Sequence, residues 1–196
     1  LANSGVFNID DINFLRDNQQ YPNFGQLELI QTQTASSVSA LDFTNIKQDI
    51  YDVHFVTMPT METNSTGHPQ ASKMQLRFSN DGGSSYESGA SAYQWANQYA
   101  IRSGSGGESK DSADSSIEWT PRCNNGEPTS GYMYLYNLGD SSKYSFTTSH
   151  TTLNVDQGEF FFGCGLYSTA ETINAIRFYN DYSMTGSFSL YGIRFA

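Results

Sequence analysis

Along most of this chain apolar and polar residues alternate with a period of two, the spacing that puts successive side chains on opposite faces of a β-sheet. The last segment shows it plainly: Ser187, Ser189, Tyr191 and Ile193 fall on one side, Phe188, Leu190, Gly192 and Arg194 on the other, as in a module closed by its own C-terminal strand. The same period predicts strands over 26–31, 38–43, 51–58, 73–79, 93–102, 116–120, 131–136, 143–150, 159–167, 173–179 and 187–195. Between them, Asp81-Gly82-Gly83, Asn124-Asn125-Gly126 and Leu138-Gly139-Asp140 supply the positive-φ positions and Asx turns that reversals need. About eleven short strands without alternating helices predict an all-β fold, a single antiparallel β-sandwich of jelly-roll type, and argue against a parallel α/β sheet.

The pattern differs before residue 26. Ile9, Ile12 and Leu15 share one face at helical spacing, Asn8 stands where a cap belongs, and Asp10 and Asp11 fall in the electropositive first turn, predicting a short amphipathic helix over 8–17. Residues 1–25 therefore read as a docking arm ahead of a sandwich domain, 26–196, with Ile9, Ile12, Leu15, Tyr21 and Pro22 offered to a partner surface. The stretch 104–116, rich in Gly, Ser and Asp, reads as a mobile surface loop.

Strand faces can be assigned where the alternation is clean. In 159–167, Phe160, Phe162, Cys164 and Leu166 read as an inward row, because Gly163 and Gly165 on the other side have nothing to bury. In 131–136, Met133 and Leu135 lie opposite Tyr132, Tyr134 and Tyr136. Either the three tyrosines line an exposed strip suited to sugar stacking or a subunit contact, or the strand is buried on both faces. Tyr86, Tyr93, Trp95 and Tyr99 read as core.

Composition narrows the function. The 196 residues carry 13 Phe and 13 Tyr among many Ser, Thr, Asn and Gly, only 15% are charged, and the formal net charge is −10. Such a field repels phosphate backbones and anionic lipid, so neither nucleic acid nor membrane insertion is expected. No apolar stretch approaches the ~18 residues of a membrane helix. A basic leader is also missing, although a processed signal or release by cell lysis would leave the same trace. Cys123 in a turn and Cys164 in a strand read as two unpaired thiols, Cys164 packed as a small apolar residue.

Candidate chemistry is sparse. His54, His68 and His150 are scattered and no nucleophile motif accompanies them. Glu28, Glu118 and Glu159 read as the solvent-facing members of their strands rather than as a glycosidase pair. Asp111, Asp114 and Asp140 lack calcium-loop spacing, and no C-x-x-C exists, so no metal or other cofactor is expected. Asn64-Ser65-Thr66 is a glycosylation acceptor by pattern.

Two segments carry a resemblance. Leu76-Arg-Phe-Ser-Asn-Asp-Gly-Gly-Ser-Ser-Tyr86, a strand entering an Asp-Gly-Gly turn and closing on tyrosine, and the terminal Gly186-Ser-Phe-Ser-Leu-Tyr-Gly-Ile193 resemble the β-sandwich modules of virion-surface proteins in tailed bacteriophages, marine types especially. The arm from Ser4 to Tyr21-Pro22 is similar to the one that precedes such modules, with Tyr-Pro where they usually have Trp-Pro. The resemblance implies a non-enzymatic structural protein on the virion surface, as capsid decoration, head fibre or tail fibre. Its partners would be itself, as a homo-oligomer for which a trimer is admissible, other virion proteins, and a host-surface glycan. A secreted carbohydrate-binding module is the first alternative and a jelly-roll polysaccharide lyase or hydrolase the second.

Overall fold

The computed structural model describes residues 9–10, 13–14, 27–64, 72–102, 104–120, 123, 125–154 and 158–193. Most of the expected 8–17 helix, together with Ile12, Leu15, Tyr21 and Pro22, lies outside them; Ile9 is described and is 74% exposed.

The fold is all-β and every strand pairing is antiparallel. Its strands are β1 (Leu27–Thr44), β2 (Val53–Thr63), β3 (Met74–Ser79), β4 (Tyr93–Ile101), β5 (Gly106–Asp114), β6 (Ile117–Thr120), β7 (Thr129–Tyr136), β8 (Ser145–Leu153), β9 (Glu159–Tyr167) and β10 (Ala175–Ile193). They run in the order β5-β4-β9-β8-β7-β2-β10-β3-β6, with β1 added against β10.

The long β10 acts as the spine. Its first part, 175–180, pairs with β3, and its second part, 184–193, pairs with β2, while β1 follows it on the other side from Leu27↔Ile193 to Thr44↔Ala175. Register shifts around Ser36, Val38 and Ala40, with Ser37 in the left-handed region at φ 57°, bend this pair midway, as bulges do. The bend sends β3 and β6 back over the larger part of the sheet, where β6 touches β4, β8 and β9, so the sheet nearly closes on itself. An Arg177–Asp42 double hydrogen bond, both arms 2.7 Å, clamps paired residues of β10 and β1, and the guanidinium lies 4.1 Å from the centre of the Tyr86 ring.

The enclosed core is aromatic. Trp119 sits 5.2 Å from Phe178 and 6.3 Å from Phe188, ring centre to ring centre, and Phe78, Tyr93 and Tyr167 form a second cluster. Tyr93, fully buried, keeps its hydroxyl satisfied by accepting from Phe78 N (2.9 Å) and donating to Glu87 O (3.2 Å), while burial holds its pKa well above the usual phenol value. The Asp81-Gly82-Gly83 turn forms as its chemistry predicts. Asp81 accepts from Ser79 Oγ, Ser85 N and Ser85 Oγ, and those bonds bring its pKa down to about 2. Gly83, at φ 89°, lies where a Cβ would strike Thr44 and the Tyr86 hydroxyl.

Four expectations need correction. The predicted strands 26–31 and 38–43 are one strand, β1, and 173–179 and 187–195 are one strand, β10, because bulges bend each chain without ending its pairing. The predicted loop 104–116 is the edge strand β5, whose polar, largely exposed residues are what an unpaired sheet edge tolerates. Phe160, Phe162 and Cys164 face outward, while Phe161 and Tyr167 are buried. The glycines are the cause: a Cβ on Gly165 would collide with Ile117, and one on Gly163 with Asn97 and Ser149, since β6 presses on the inner side of β9 there.

The fourth concerns the carboxylates. Glu118 and Glu159 are buried rather than solvent-facing. β6 is covered on both faces, and Glu118 is held by Lys73 Nζ at 2.6 Å. Burial pushes the Glu118 pKa up against the pull of Lys73; for Lys73 burial acts to lower the pKa, but Glu118, Asp114 and Asp181 together hold it above the ordinary value.

Candidate functional site

The outer face of β7 settles the open question about its tyrosines. Met133 and Leu135 are fully buried and Tyr132, Tyr134 and Tyr136 are half-buried, so the core takes one side of the strand and the tyrosines stand on the other. Antiparallel pairing carries that row across the sheet. Tyr132 lies beside His150, which lies beside Phe162, then Gln98 and Glu108; one step along, Tyr134 leads to Thr148, Cys164, Ala96 and Lys110. Toward the spine, Tyr134 pairs with Phe55 and Phe55 with Tyr191.

The rings form one contiguous surface. Phe55 is 4.6 Å from Tyr134, 5.8 Å from Tyr132 and 6.2 Å from Tyr191, all tilted. Tyr132 is 5.0 Å from His150, whose ring meets Phe162 edge-on at 4.4 Å, and Phe160 stands 5.6 Å beyond. Such separations are those of favourable aromatic pairs. The Tyr132 hydroxyl and His150 Nδ1 share a hydrogen bond of 2.8 Å, and the Tyr136 hydroxyl and Thr148 Oγ1 one of 3.3 Å.

This face carries a hollow of about 560 Å³ lined by residues of β4, β5, β7, β8 and β9. A second, of about 790 Å³, shares Ala96, Lys110, Thr148 and Cys164 with it and continues the trough toward Phe146, Leu166 and Gln94. Five strands span roughly 19 Å across the trough, and the four steps from Gln98 to Gln94 roughly 13 Å along it. At the β5 rim Lys110 and Glu108 neutralise each other at 2.6 Å.

Of the residues lining the hollow, the sequence singles out the three tyrosines but not their neighbours. The alternation alone sets Phe162 and Cys164 inward, and only the register brings His150 and Phe55 beside the strip. The glycines at 163 and 165, two residues apart on one face, were the usable signal: they mark close approach of another strand, not an unused surface. His54, by contrast, is buried on the other side of β2, its Nε2 donating to Ile46 O at 2.8 Å, with Nδ1 lacking a partner; burial lowers its pKa. The cysteines are both free, Cys123 buried with its thiol pushed up to about 12 and Cys164 exposed in the trough, so the packed position assigned to Cys164 is overturned. Among the described residues no group of three His, Cys, Asp or Glu is placed to hold a metal ion.

No family model matches the chain, and no curated protein does. Among solved structures it is similar to an alginate lyase at 12% identity, covering 84% of this chain and 80% of that one with a TM-score of 0.28. It is also similar to the CBM2 module of the evolved Dit of Lactobacillus casei BL23 phage J-1, at 8% identity, covering 88% of this chain and all of that module with a TM-score of 0.14. Likeness this slight carries no argument about fold or function.

Proposed function

We propose that this chain is a non-enzymatic structural protein of a tailed-phage virion surface, of the capsid-decoration, head-fibre or tail-fibre kind, working by homo-oligomeric assembly and by contacts made through the trough. The observation that carries the contact role is the row from Tyr191 through Phe55, Tyr134, Tyr132 and His150 to Phe162, left open on the outside of strands whose inner side is complete. A contiguous aromatic surface that keeps part of its area open to solvent is the kind of surface on which proteins make contacts. The virion setting is supported by the turn and strand segments 76–86 and 186–193, and by a net charge that disfavours nucleic acid. The finer architecture belongs to the same reading: β6 lying over β4, β8 and β9 supports two layers, a jelly-roll-like sandwich. Antibody labelling of purified source particles tests the setting, gold on the particle surface being expected and label confined to soluble lysate contradicting it.

One observation favours a second reading, a polysaccharide lyase or hydrolase. Tyr132 and His150, residue types able to move protons, share their hydrogen bond within the trough. Turnover of a polysaccharide that Tyr132→Phe and His150→Gln both abolish would establish it. Glu118 is not a candidate for that role, being buried and tied to Lys73.

A further inference from the structure

The trough combines two kinds of group in a pattern that selects its occupant. Ring faces at Phe55, Tyr134, Tyr132 and Phe162 are interleaved with hydrogen-bonding side chains at Thr148, His150 and Gln98, all on the same outer rows of the sheet. A pyranose presents the matching surfaces, apolar C–H faces and a rim of hydroxyls. Tyr also offers rigid area with a polar tip. The hollow of about 560 Å³ is of ligand size, and the second hollow that shares four of its residues extends the surface along the strands.

A two-fold dimer would set this hollow against its own copy and leave it unfilled, which disfavours a second copy as the occupant. Charge narrows the class further. The trough's rim charges, Glu108 and Lys110, are paired at 2.6 Å, and Asp111 stands beside them, so nothing there compensates an anionic sugar. The whole chain at −10 repels a polyanion before contact.

We infer that the trough binds a neutral glycan chain, stacked on Tyr132, Tyr134 and Phe162 and hydrogen-bonded by His150, Thr148 and Gln98. The inference rests on the trough being the contact surface and names what it contacts; it does not depend on the virion setting, which particle labelling tests separately. Cys164 lies on the trough floor and is the chain's only exposed cysteine, so a bound glycan must slow its alkylation.

The test is a glycan array carrying neutral and acidic chains, probed with the full chain, followed by titration of the strongest neutral oligosaccharide while the rate of maleimide addition to Cys164 is read. Expected are saturable binding to neutral chains, protection of Cys164 that saturates at the same concentration, and loss of about tenfold or more in affinity for Tyr134→Ala and Phe162→Ala with unchanged circular dichroism. Absence of saturable binding to every neutral chain overturns the inference, as does binding confined to acidic chains. Sedimentation separates the remaining occupants: if Tyr134→Ala changes the oligomeric state, a second copy covers the trough, and the contact reading survives while the glycan does not. If purified virion proteins, and no glycan, protect Cys164, the occupant is a protein.

Discussion

Phe162 and Trp119 differ in what their loss should do, although both are large aromatic residues on strands. Trp119 has no exposed surface and touches Phe178 and Phe188, so Trp119→Ala should cost about 3–5 kcal/mol by lost burial and the cavity left behind. Phe162 is 47% exposed, and Phe162→Ala should cost below about 1 kcal/mol in urea unfolding while weakening contact through the trough. The thiols divide in the same way. In the native protein one equivalent should react quickly with a thiol reagent, Cys164, and Cys123 only after unfolding; two fast equivalents would show that Cys123 is not buried. His54 makes a pH prediction. Its folded pKa lies below the unfolded value near 6.5, so the unfolded chain takes up the proton first as pH falls. Stability is then unaffected above about pH 6.5 and falls below it, by at most about 1.4 kcal/mol per unit until the folded pKa is reached. His54→Gln should flatten that limb in urea titrations between pH 7.5 and 5.5, and a limb unchanged by the substitution would assign it to other groups. Glu118, its pKa raised mainly by burial, acts oppositely, its protonation favouring the folded state as pH falls toward its unfolded value.

Elements were legible in the sequence to the degree that their two faces differed in kind. β7 was readable because Met133 and Leu135 are unmistakably apolar against three amphipathic tyrosines, and the choice between one and two buried faces was all that the structure had to supply. β9 has the bounds the alternation predicts, 159–167, but its two faces are the reverse of the expected ones. Both of its faces look apolar, and the deciding fact, that Ile117 of β6 occupies the space beside Gly165, belongs to a strand more than forty residues earlier in sequence. β5 was invisible because an edge strand with a Gly-Gly start and an exposed Glu-Ser-Lys-Asp centre has the composition of a loop. That composition has a use. β5 covers the edge of β4, and its charges discourage further pairing. Replacing 106–114 with a Gly/Ser linker should leave a folded core but expose β4, seen as concentration-dependent light scattering; a monomeric, non-scattering variant would mean that β4 is not an aggregation-prone edge.

Across the whole molecule, the buried core and the proposed contact surface fall on opposite sides of the same strands. The bent β1–β10 spine brings β3 and β6 over the inner side and closes the core there, leaving the trough on the outer side of β4, β5, β7, β8 and β9, with Phe55 of β2 beside it. No single segment of sequence contains that division, since the trough is assembled by register among five strands from distant parts of the chain. The division itself is open to measurement. Urea unfolding of the Tyr132→Ser, Tyr134→Ser, Tyr136→Ser triple variant beside Met133→Ala compares the two faces of β7 directly. The tyrosine face should lose less stability per substituted residue than the about 2–5 kcal/mol expected of Met133→Ala, and should keep a single cooperative transition. A triple variant that is unfolded, or that loses more per residue than Met133→Ala, would show that the tyrosines hold the fold together and are not a surface kept for contact.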